Sequence, residues 1–140
     1  MTSLKDFSLE GKNAWVTGAT YGIGFNIAKA FHAAGIKNII FNDIDQEHVD
    51  RGLASYKEAG IENVHGYVCN VTDENAVEAL VKQIHEEVGQ IDILVNNAGI
   101  TKDGLMLRMS EAQWDAVLNV NLKSAFNFIH ACAPVMLRQR

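Results

Sequence analysis

Short β-branched runs alternate along this chain with longer stretches in which apolar residues recur at helical spacing. The pattern predicts strands over residues 13–17, 38–42, 64–68 and 91–95, and helices over about 22–34, 45–60, 72–89 and 110–133. Such alternation is typical of βαβ units, which build a parallel sheet with helices on both faces. We therefore expect one α/β domain with a doubly wound parallel sheet across residues 1–140.

Capping residues at the helix ends are consistent with these boundaries. Asp45 and Thr72 are predicted N-caps, and the sequence from Ser110 to Gln113 has the form of a capping box. Glycines are expected to end the first three helices, at residues 35, 60 and 89. The first helix is predicted to bury an apolar stripe made of Ile23, Ile27, Ala30, Phe31 and Ala34.

The last predicted helix is apolar on more than one face. Its apolar residues are Trp114, Val117, Leu118, Leu122, Ala125, Phe126, Ile129, Cys132 and Ala133. One face of a helix can pack on the sheet, but a second apolar face needs cover from elsewhere. We therefore expect the whole protein to be a homo-oligomer, and a fragment ending here to aggregate or swap.

A glycine-rich turn joins the first strand to the first helix. It reads Thr17-Gly18-Ala19-Thr20-Tyr21-Gly22-Ile23-Gly24. A dinucleotide pyrophosphate binds backbone N–H groups at a helix N-terminus, and glycines let it approach closely. The candidate cofactor-binding residues here are Gly18, Thr20, Tyr21, Gly22, Ile23 and Gly24. The alternative interpretation of the glycines alone is a tight turn that binds no ligand.

Asp43 strengthens the dinucleotide interpretation. It ends the second strand about 20 residues after Gly24, where an acidic residue is expected to bind the adenosine ribose hydroxyls. A carboxylate there repels the 2′-phosphate of NADP, so NAD is the expected cofactor, while Lys12 and Lys37 leave room for NADP. The alternative role for Asp43 is that of a solvated turn residue.

Composition and charge narrow the choice of partners. The net charge of −5 provides no basic surface for a phosphate backbone, so we expect no nucleic-acid partner. The chain has neither a signal-peptide start nor an apolar run of about 18 residues, so we expect a cytoplasmic protein that binds no membrane. Five scattered histidines and two separated cysteines match no metal motif, and Cys69 and Cys132 are expected to be small buried hydrophobes.

Three motifs in order carry a resemblance to a known family: the glycine turn, the segment Asn96-Asn97-Ala98-Gly99, and Asn121-Leu122 in the last helix. Together they resemble the short-chain dehydrogenase/reductase family over the whole chain. The resemblance implies a Rossmann-like sheet that binds a dinucleotide, with Asn97, Ala98 and Gly99 lining the adenosine side of the pocket. A structural role for that asparagine-rich strand exit is the alternative.

The same resemblance assigns two further positions. Asn70-Val71 stands where the family more often has Asp-Val, and it implies that the side chain of residue 70 accepts a bond from the adenine amino group. The resemblance implies that Asn121 bends its helix and holds a water of the proton relay, so Asn121 is the one candidate catalytic residue. A plain polar helix face with Asn119 and Lys123 is the alternative.

The family's remaining catalytic residues are a serine on the next strand and a Tyr-x-x-x-Lys pair on the next helix. No tyrosine of this chain has lysine four residues later. We therefore expect an incomplete domain that lacks its C-terminal catalytic half and is inactive alone. The full-length protein is expected to interconvert a secondary alcohol and a ketone with NAD(P); a non-catalytic dinucleotide-binding module is the alternative.

Two groups within the family are similar to different parts of the chain. Residues up to about 88 resemble gluconate 5-dehydrogenases, and residues from about 100 resemble 3-oxoacyl-acyl-carrier-protein reductases. The segment 91–99 is common to both and would be a natural crossover point in a recombined sequence. A sugar acid is the expected small-molecule substrate, an acyl thioester the alternative, and a dimer or tetramer the expected oligomer.

Overall fold

A computed structural model describes residues 4–140 of the chain. Its centre is a four-stranded parallel sheet in the order β3-β2-β1-β4. The elements are β1 (Asn13–Thr17), α1 (Gly22–Ala33), β2 (Asn38–Asp43), α2 (Gln46–Glu58), β3 (Val64–Val68), α3 (Glu74–Glu87), β4 (Ile93–Val95), α4 (Glu111–Leu118) and α5 (Ser124–Gln139). The predicted Rossmann-like α/β fold is confirmed.

The position of β1 explains where a ligand can bind. β1 pairs with β2 on one side and with β4 on the other, so successive connections run in opposite directions from it. In open parallel sheets, a crevice forms at such a switch point, outside the carboxyl ends of the strands. Because β1, β2 and β4 end there, the glycine turn, Asp43 and the Asn96–Gly99 segment lie at one edge.

Helices cover both faces of the sheet. The first layer packs α1 and α2 on one face, and its buried residues include Val16, Phe41, Val49 and Tyr56. The second layer packs α3 and α5 on the other face, and its buried residues include Trp15, Ile40, Val77, Ile84 and Phe128. The residues of β1 are buried on both faces, which explains why its three central residues, Ala14 to Val16, are all apolar.

Both cysteines are buried, as predicted, and both lie in the second layer. Cys69 and Cys132 are free thiols. Burial raises the pKa of Cys69 to about 11 and the pKa of Cys132 to about 12, because a thiolate is poorly solvated there. The thiols therefore stay protonated near neutral pH and pack as small apolar groups.

Two predicted helix details are wrong. Asp73, not Thr72, caps α3, since the Asp73 carboxylate accepts a bond from Ala76 N at 3.1 Å. The Thr72 hydroxyl instead donates to the Asn70 side chain. In α1, Ile23 is 77% exposed, and the buried face centres on Gly24 and Ala28. The first turn of α1 projects beyond the carboxyl edge of the sheet and lines the cleft, so an apolar residue there is not buried even though it continues the helical pattern.

The fourth strand is shorter than predicted. β4 begins at Ile93, although Ile91 is fully buried. The side chain of Gln139 bonds both Ile91 backbone groups, accepting from its N–H at 3.1 Å and donating to its carbonyl at 2.8 Å. The Gln139 side chain thus makes the backbone bonds that a neighbouring strand would make. Ile91 is therefore buried but is not part of β4.

The last helix is not regular throughout. A π-helical turn, Asn119–Lys123, separates α4 from α5, and it contains Asn121. The capping box at Ser110 and Gln113 is confirmed at the start of α4. Among residues 4–140, no helix has both the length and the apolarity needed to cross a membrane.

Candidate dinucleotide-binding site

A cleft of about 460 Å³ opens at the carboxyl edge of β1, β2 and β4. Its walls contain every sequence-predicted cofactor residue except Thr20 and Gly24. The lining residues are Gly18, Tyr21, Gly22, Ile23, Asn42, Asp43, Ile44, His48, Cys69, Asn70, Val71, Asn97, Ala98, Gly99, Ile100 and Val120. Segments far apart in the sequence therefore meet in one concave site, as a dinucleotide pocket requires.

Gly22 and Gly24 serve different purposes in the turn. Gly22 has a φ of +66° and faces open space, because a Cβ added there would meet nothing within 4 Å. A Cβ on Gly24 would lie 2.4 Å from Asn97 Nδ2, so Gly24 allows α1 to pack closely on the β4 exit. The space beside Gly22 at the N-terminus of α1 fits a pyrophosphate, which binds free N–H groups there.

Asp43 is held in place by neighbouring groups. Thr20 Oγ1 donates to Asp43 Oδ2 at 2.6 Å, and Ile44 N donates to Asp43 Oδ1 at 2.7 Å. Thr20 is buried, so it fixes the carboxylate from below and does not line the cleft. Each carboxylate oxygen accepts more than one bond, which leaves acceptor capacity for ribose hydroxyls.

Thr17, which is not among the predicted site residues, joins the glycine turn to the segment that follows β4. Its hydroxyl accepts bonds from the backbone N–H groups of Asn97 and Ala98, each at 2.9 Å. Asn97 Nδ2 donates to Thr17 O at 2.9 Å and to Gly18 O at 3.3 Å. The amide of Asn97 is thus occupied by the protein, and it holds two walls of the cleft together.

Asn70 and Val71 form the wall next to β3. Asn70 Oδ1 accepts from Thr72 N at 3.1 Å and from Thr72 Oγ1 at 2.8 Å. These bonds use the same oxygen that is expected to accept from the adenine amino group, and the bond to adenine stays a prediction. The carbonyl of Val71 accepts from Asn127 Nδ2 at 3.0 Å, which joins this wall to α5.

Asn121 is exposed and does not line the cleft. Its side chain accepts from Ile100 N at 2.8 Å and donates to Ile100 O at 3.0 Å. The π-helical turn places Asn121 against the loop that leaves β4, and a Cβ on Gly99 would lie 3.3 Å from Asn121 Oδ1. The residue predicted to bend the helix is therefore located at the irregularity, and its amide fixes Ile100.

His48 also lines the cleft, although it was not among the predicted site residues. Its ring Nδ1 lies 2.7 Å from Oδ1 of Asp45, the N-cap of α2, and the same oxygen accepts from His48 N at 2.9 Å. The bond to Asp45 raises the pKa of His48 above its ordinary value. The sequence signal was a histidine three residues after a capping aspartate, at the start of α2.

Two other features lie outside the cleft. A groove of about 500 Å³ follows the outer side of α4 and α5, lined by Leu118, Asn119, Leu122, Lys123, Ala125, Phe126 and Ile129. The ligand atoms of Glu74, Glu78 and His130 lie within 4.8 Å of one another, but all three residues are exposed. The groove matches the apolar helix face predicted to need cover.

Comparison with known proteins supports the dinucleotide interpretation. A 3-oxoacyl-[acyl-carrier-protein] reductase of Thermotoga maritima is 44% identical over 132 residues, covering 94% of this chain and 53% of the relative. The crystal structure of 2-keto-3-deoxy-D-gluconate dehydrogenase from Streptococcus agalactiae matches with TM-score 0.85 and 53% identity, covering 97% of this chain and 51% of that one. A gluconate 5-dehydrogenase from Burkholderia cenocepacia J2315, in complex with NADP and tartrate, matches with TM-score 0.88 and 32% identity over 98% of this chain and 53% of that one.

These matches qualify the expectation of a two-part sequence. Both kinds of relative match along nearly the whole chain, so neither resemblance is confined to one side of residues 91–99. The chain spans about half the length of the curated relatives it matches. Residues 12–140 match the family described as short chain dehydrogenase, and the chain belongs to that family.

Proposed function

We propose that the protein binds a nicotinamide dinucleotide in this cleft and, as an oxidoreductase, interconverts a secondary alcohol and a ketone. The observation that carries the proposal is the position of Gly22 and Asp43 in one cleft. The open space beside Gly22 suits the pyrophosphate, and the fixed Asp43 carboxylate suits the adenosine ribose. Membership of the short chain dehydrogenase family supports the same reading.

Residues of this chain then bind and orient the cofactor. When bound, a nicotinamide dinucleotide supplies or accepts the hydride. Thr17 and Asn97 hold the cleft walls in register, and the small residues Ala98 and Gly99 let the cofactor approach the backbone. Preorganised walls lower the entropy lost on binding, so these contacts contribute to affinity even where they do not touch the cofactor.

Asn121 is proposed to position groups for proton transfer. Both polar groups of its side chain bond to Ile100, so the side chain acts by holding the cleft wall. A π-helical turn also interrupts the regular backbone hydrogen bonding of a helix, which makes backbone groups there available to water. We therefore assign Asn121 a positioning role in the proton relay.

NAD is the proposed preferred cofactor, because the Asp43 carboxylate faces the ribose site and repels a 2′-phosphate. The test is titration of NADH and NADPH into the protein and into the Asp43→Asn variant, followed by nicotinamide fluorescence. Asp43→Asn is expected to weaken NADH about tenfold, the size of a lost charge-assisted bond, and to weaken NADPH less.

Asp115→Asn is the matched control, since Asp115 is exposed on α4 and outside the cleft. It removes the same charge and is expected to leave both affinities within about twofold. If neither dinucleotide binds to the unaltered protein, the proposal fails. If NADPH binds more tightly than NADH before and after the Asp43 change, the NAD preference is wrong.

For the substrate, we propose a sugar acid. The relative of highest identity among those described above is the 2-keto-3-deoxy-D-gluconate dehydrogenase, at 53%. The second candidate is a 3-oxoacyl thioester, which the 44% identity to the Thermotoga maritima reductase favours. Initial rates with a panel of aldonic and keto-aldonic acids, compared with an acetoacetyl thioester, distinguish the two. Dinucleotide binding without turnover of either class would favour a non-catalytic module.

Homo-oligomerisation is proposed through the apolar groove of α4 and α5. Leu122 is 66% exposed and Phe126 is 58% exposed, and both lie in that groove beside Ile129. A contiguous apolar surface of this kind is typical of a protein–protein contact. Sedimentation velocity over a range of protein concentrations tests the proposal, which fails if the protein stays monomeric throughout.

A further inference from the structure

His48 lines the cleft together with Asp43, and the proposed binding of NAD gives it no role. It follows Asp43 by one short turn and the first residues of α2. The negative charge of Asp43 also raises the pKa of His48, which places the two groups within electrostatic reach of each other. Because Asp43 is the residue proposed to bind the adenosine ribose, His48 lies beside the proposed ribose site.

The bond to Asp45 decides which ring nitrogen is available. Asp45 Oδ1 lies 2.7 Å from Nδ1, so Nδ1 carries a proton in both charge states of the ring. Nε2 bonds to no other group among residues 4–140. In the neutral ring Nε2 is an acceptor, and in the imidazolium it is a donor. Nε2 can thus accept a bond from a hydroxyl when the ring is neutral and donate a bond to a phosphate when the ring is protonated.

We propose that His48 is a specificity-determining residue that recognises the 2′ substituent of the adenosine ribose. When neutral, its Nε2 accepts a bond from the 2′-hydroxyl of NAD(H). When protonated, the same nitrogen donates to the 2′-phosphate of NADP(H) and offsets repulsion by Asp43. The inference rests on the proposed dinucleotide binding and adds that cofactor preference changes with pH.

The charged groups around His48 set the direction of this change. Asp45 and Asp43 favour the imidazolium, while Arg51 opposes it from the next turn of α2. Arg51 is itself paired with Glu47 at 2.8 Å, on the exposed side of the helix. His48 therefore stays protonated to a higher pH than an ordinary histidine. Tolerance of NADP(H) is present at low pH and is lost as the pH rises through the pKa of His48.

The experiment measures the dissociation constants of NADH and NADPH between pH 6 and pH 9. In the unaltered protein, the ratio of the NADPH constant to the NADH constant is expected to rise about fivefold over this range, the effect of one partly exposed charged bond. In His48→Gln, the ratio is expected to change only as far as the phosphate itself titrates near pH 6. His85→Gln, an exposed histidine on α3 outside the cleft, is the control and keeps the full change.

A second variant guards against a purely structural effect of His48→Gln. Asp45→Ser keeps an N-cap oxygen for α2 but removes the charge beside Nδ1. It is expected to lower the pKa of His48, read from its ring resonances by NMR, and to move the midpoint of the cofactor-preference change to lower pH by the same amount. A ratio that changes equally in the unaltered protein and in His48→Gln overturns the inference. Absence of NADH binding at every pH overturns the proposed function as well.

Discussion

The two layers that pack against the sheet differ in how completely they satisfy their own groups. In the first layer, Tyr56 OH donates to Ala19 O at 2.8 Å, and the Tyr56 ring packs against Phe25 and Phe41 with centroids 4.8 Å and 5.2 Å away. In the second layer, Asn42 Nδ2 and Asn127 Oδ1 are buried and have no hydrogen-bond partner within the described part of the chain. Buried polar groups are normally paired, but the second layer carries two unsatisfied amide atoms, whereas the buried Tyr56 hydroxyl of the first layer is satisfied.

The outer surfaces show the same contrast. The outer side of α2 carries charged pairs, such as Arg51 with Glu47, whereas the outer side of α5 carries exposed Phe126 and Ile129. The first layer therefore presents a solvated surface, and the second presents an apolar groove. The first layer thus supports the glycine turn through its own contacts, such as the bond from Tyr56 to Ala19. The apolar groove of the second layer is suited to packing against another protein surface.

The largest expected effect comes from overfilling the first layer. A Cβ on Gly66 would lie 2.7 Å from Val49 Cγ1 and 2.8 Å from Phe41 Cζ. Gly66→Val is expected to lower the free energy of unfolding by about 3 kcal/mol, because branched carbons have no space beside that ring. Urea denaturation followed by circular dichroism measures the loss.

Gly104→Val is the matched control for this change. A Cβ on Gly104 would meet nothing within 4 Å, so its free energy of unfolding is expected to change by less than about 0.5 kcal/mol. Equal losses in the two variants would show that the first layer is not tightly packed around Phe41, and the contrast between the layers would disappear.

A smaller effect is expected from Tyr56→Phe, which removes one buried hydroxyl. The Ala19 carbonyl loses its donor, so the free energy of unfolding is expected to fall by about 1.5 kcal/mol. Ala19 belongs to the glycine turn, so NADH affinity is expected to fall as well. Denaturation and NADH titration of the same preparation measure both.

The identical substitution at Tyr67 provides the comparison with the other face. Tyr67 OH donates to Glu87 Oε2 at 2.7 Å at an exposed position. Water can replace that bond, so Tyr67→Phe is expected to lower the free energy of unfolding by about 0.5 kcal/mol or less. A larger loss at Tyr67 than at Tyr56 would reverse the ranking of the two layers.

The sequence predicted those parts of the fold and site that depend on local patterns. The alternation of β-branched runs with helical patterns located the four strands. The glycine turn, followed about 20 residues after Gly24 by Asp43, predicted the cleft that contains Gly22 and Asp43. Contacts between segments that are distant in the sequence could not be predicted from local patterns. β4 begins at Ile93 and not at Ile91, where the side chain of Gln139, 48 residues away in the sequence, bonds the backbone instead. Thr20 was predicted to touch the cofactor, but the structure places it beneath Asp43, a contact that depends on where β2 ends.

The buried thiols provide a test of whether the second layer opens more readily. Cys69 and Cys132 have raised pKa values, to about 11 and about 12, so neither forms much thiolate at pH 8 in the folded protein. Cys132, which is fully buried and outside the cleft, is expected to react with a thiol reagent far more slowly than in urea, and only when the second layer opens. Hydrogen exchange of α2 amides, which belong to the first layer, should give a higher free energy of opening than this labelling gives for the second layer. A lower free energy of opening for the first layer would contradict the comparison.

The smallest effect on folding, and the most specific on assembly, is expected from charge placed in the apolar groove. Leu122→Glu changes a residue that is already 66% exposed, so the free energy of unfolding is expected to change by less than about 0.5 kcal/mol. A carboxylate in a buried contact is costly, so self-association should weaken at least tenfold by sedimentation velocity. Leu107→Glu is the matched control, because Leu107 is 99% exposed and outside the groove. Equal weakening by both variants would show that net charge, not contact through the groove, controls assembly, and the exposed face of the second layer would then need another explanation.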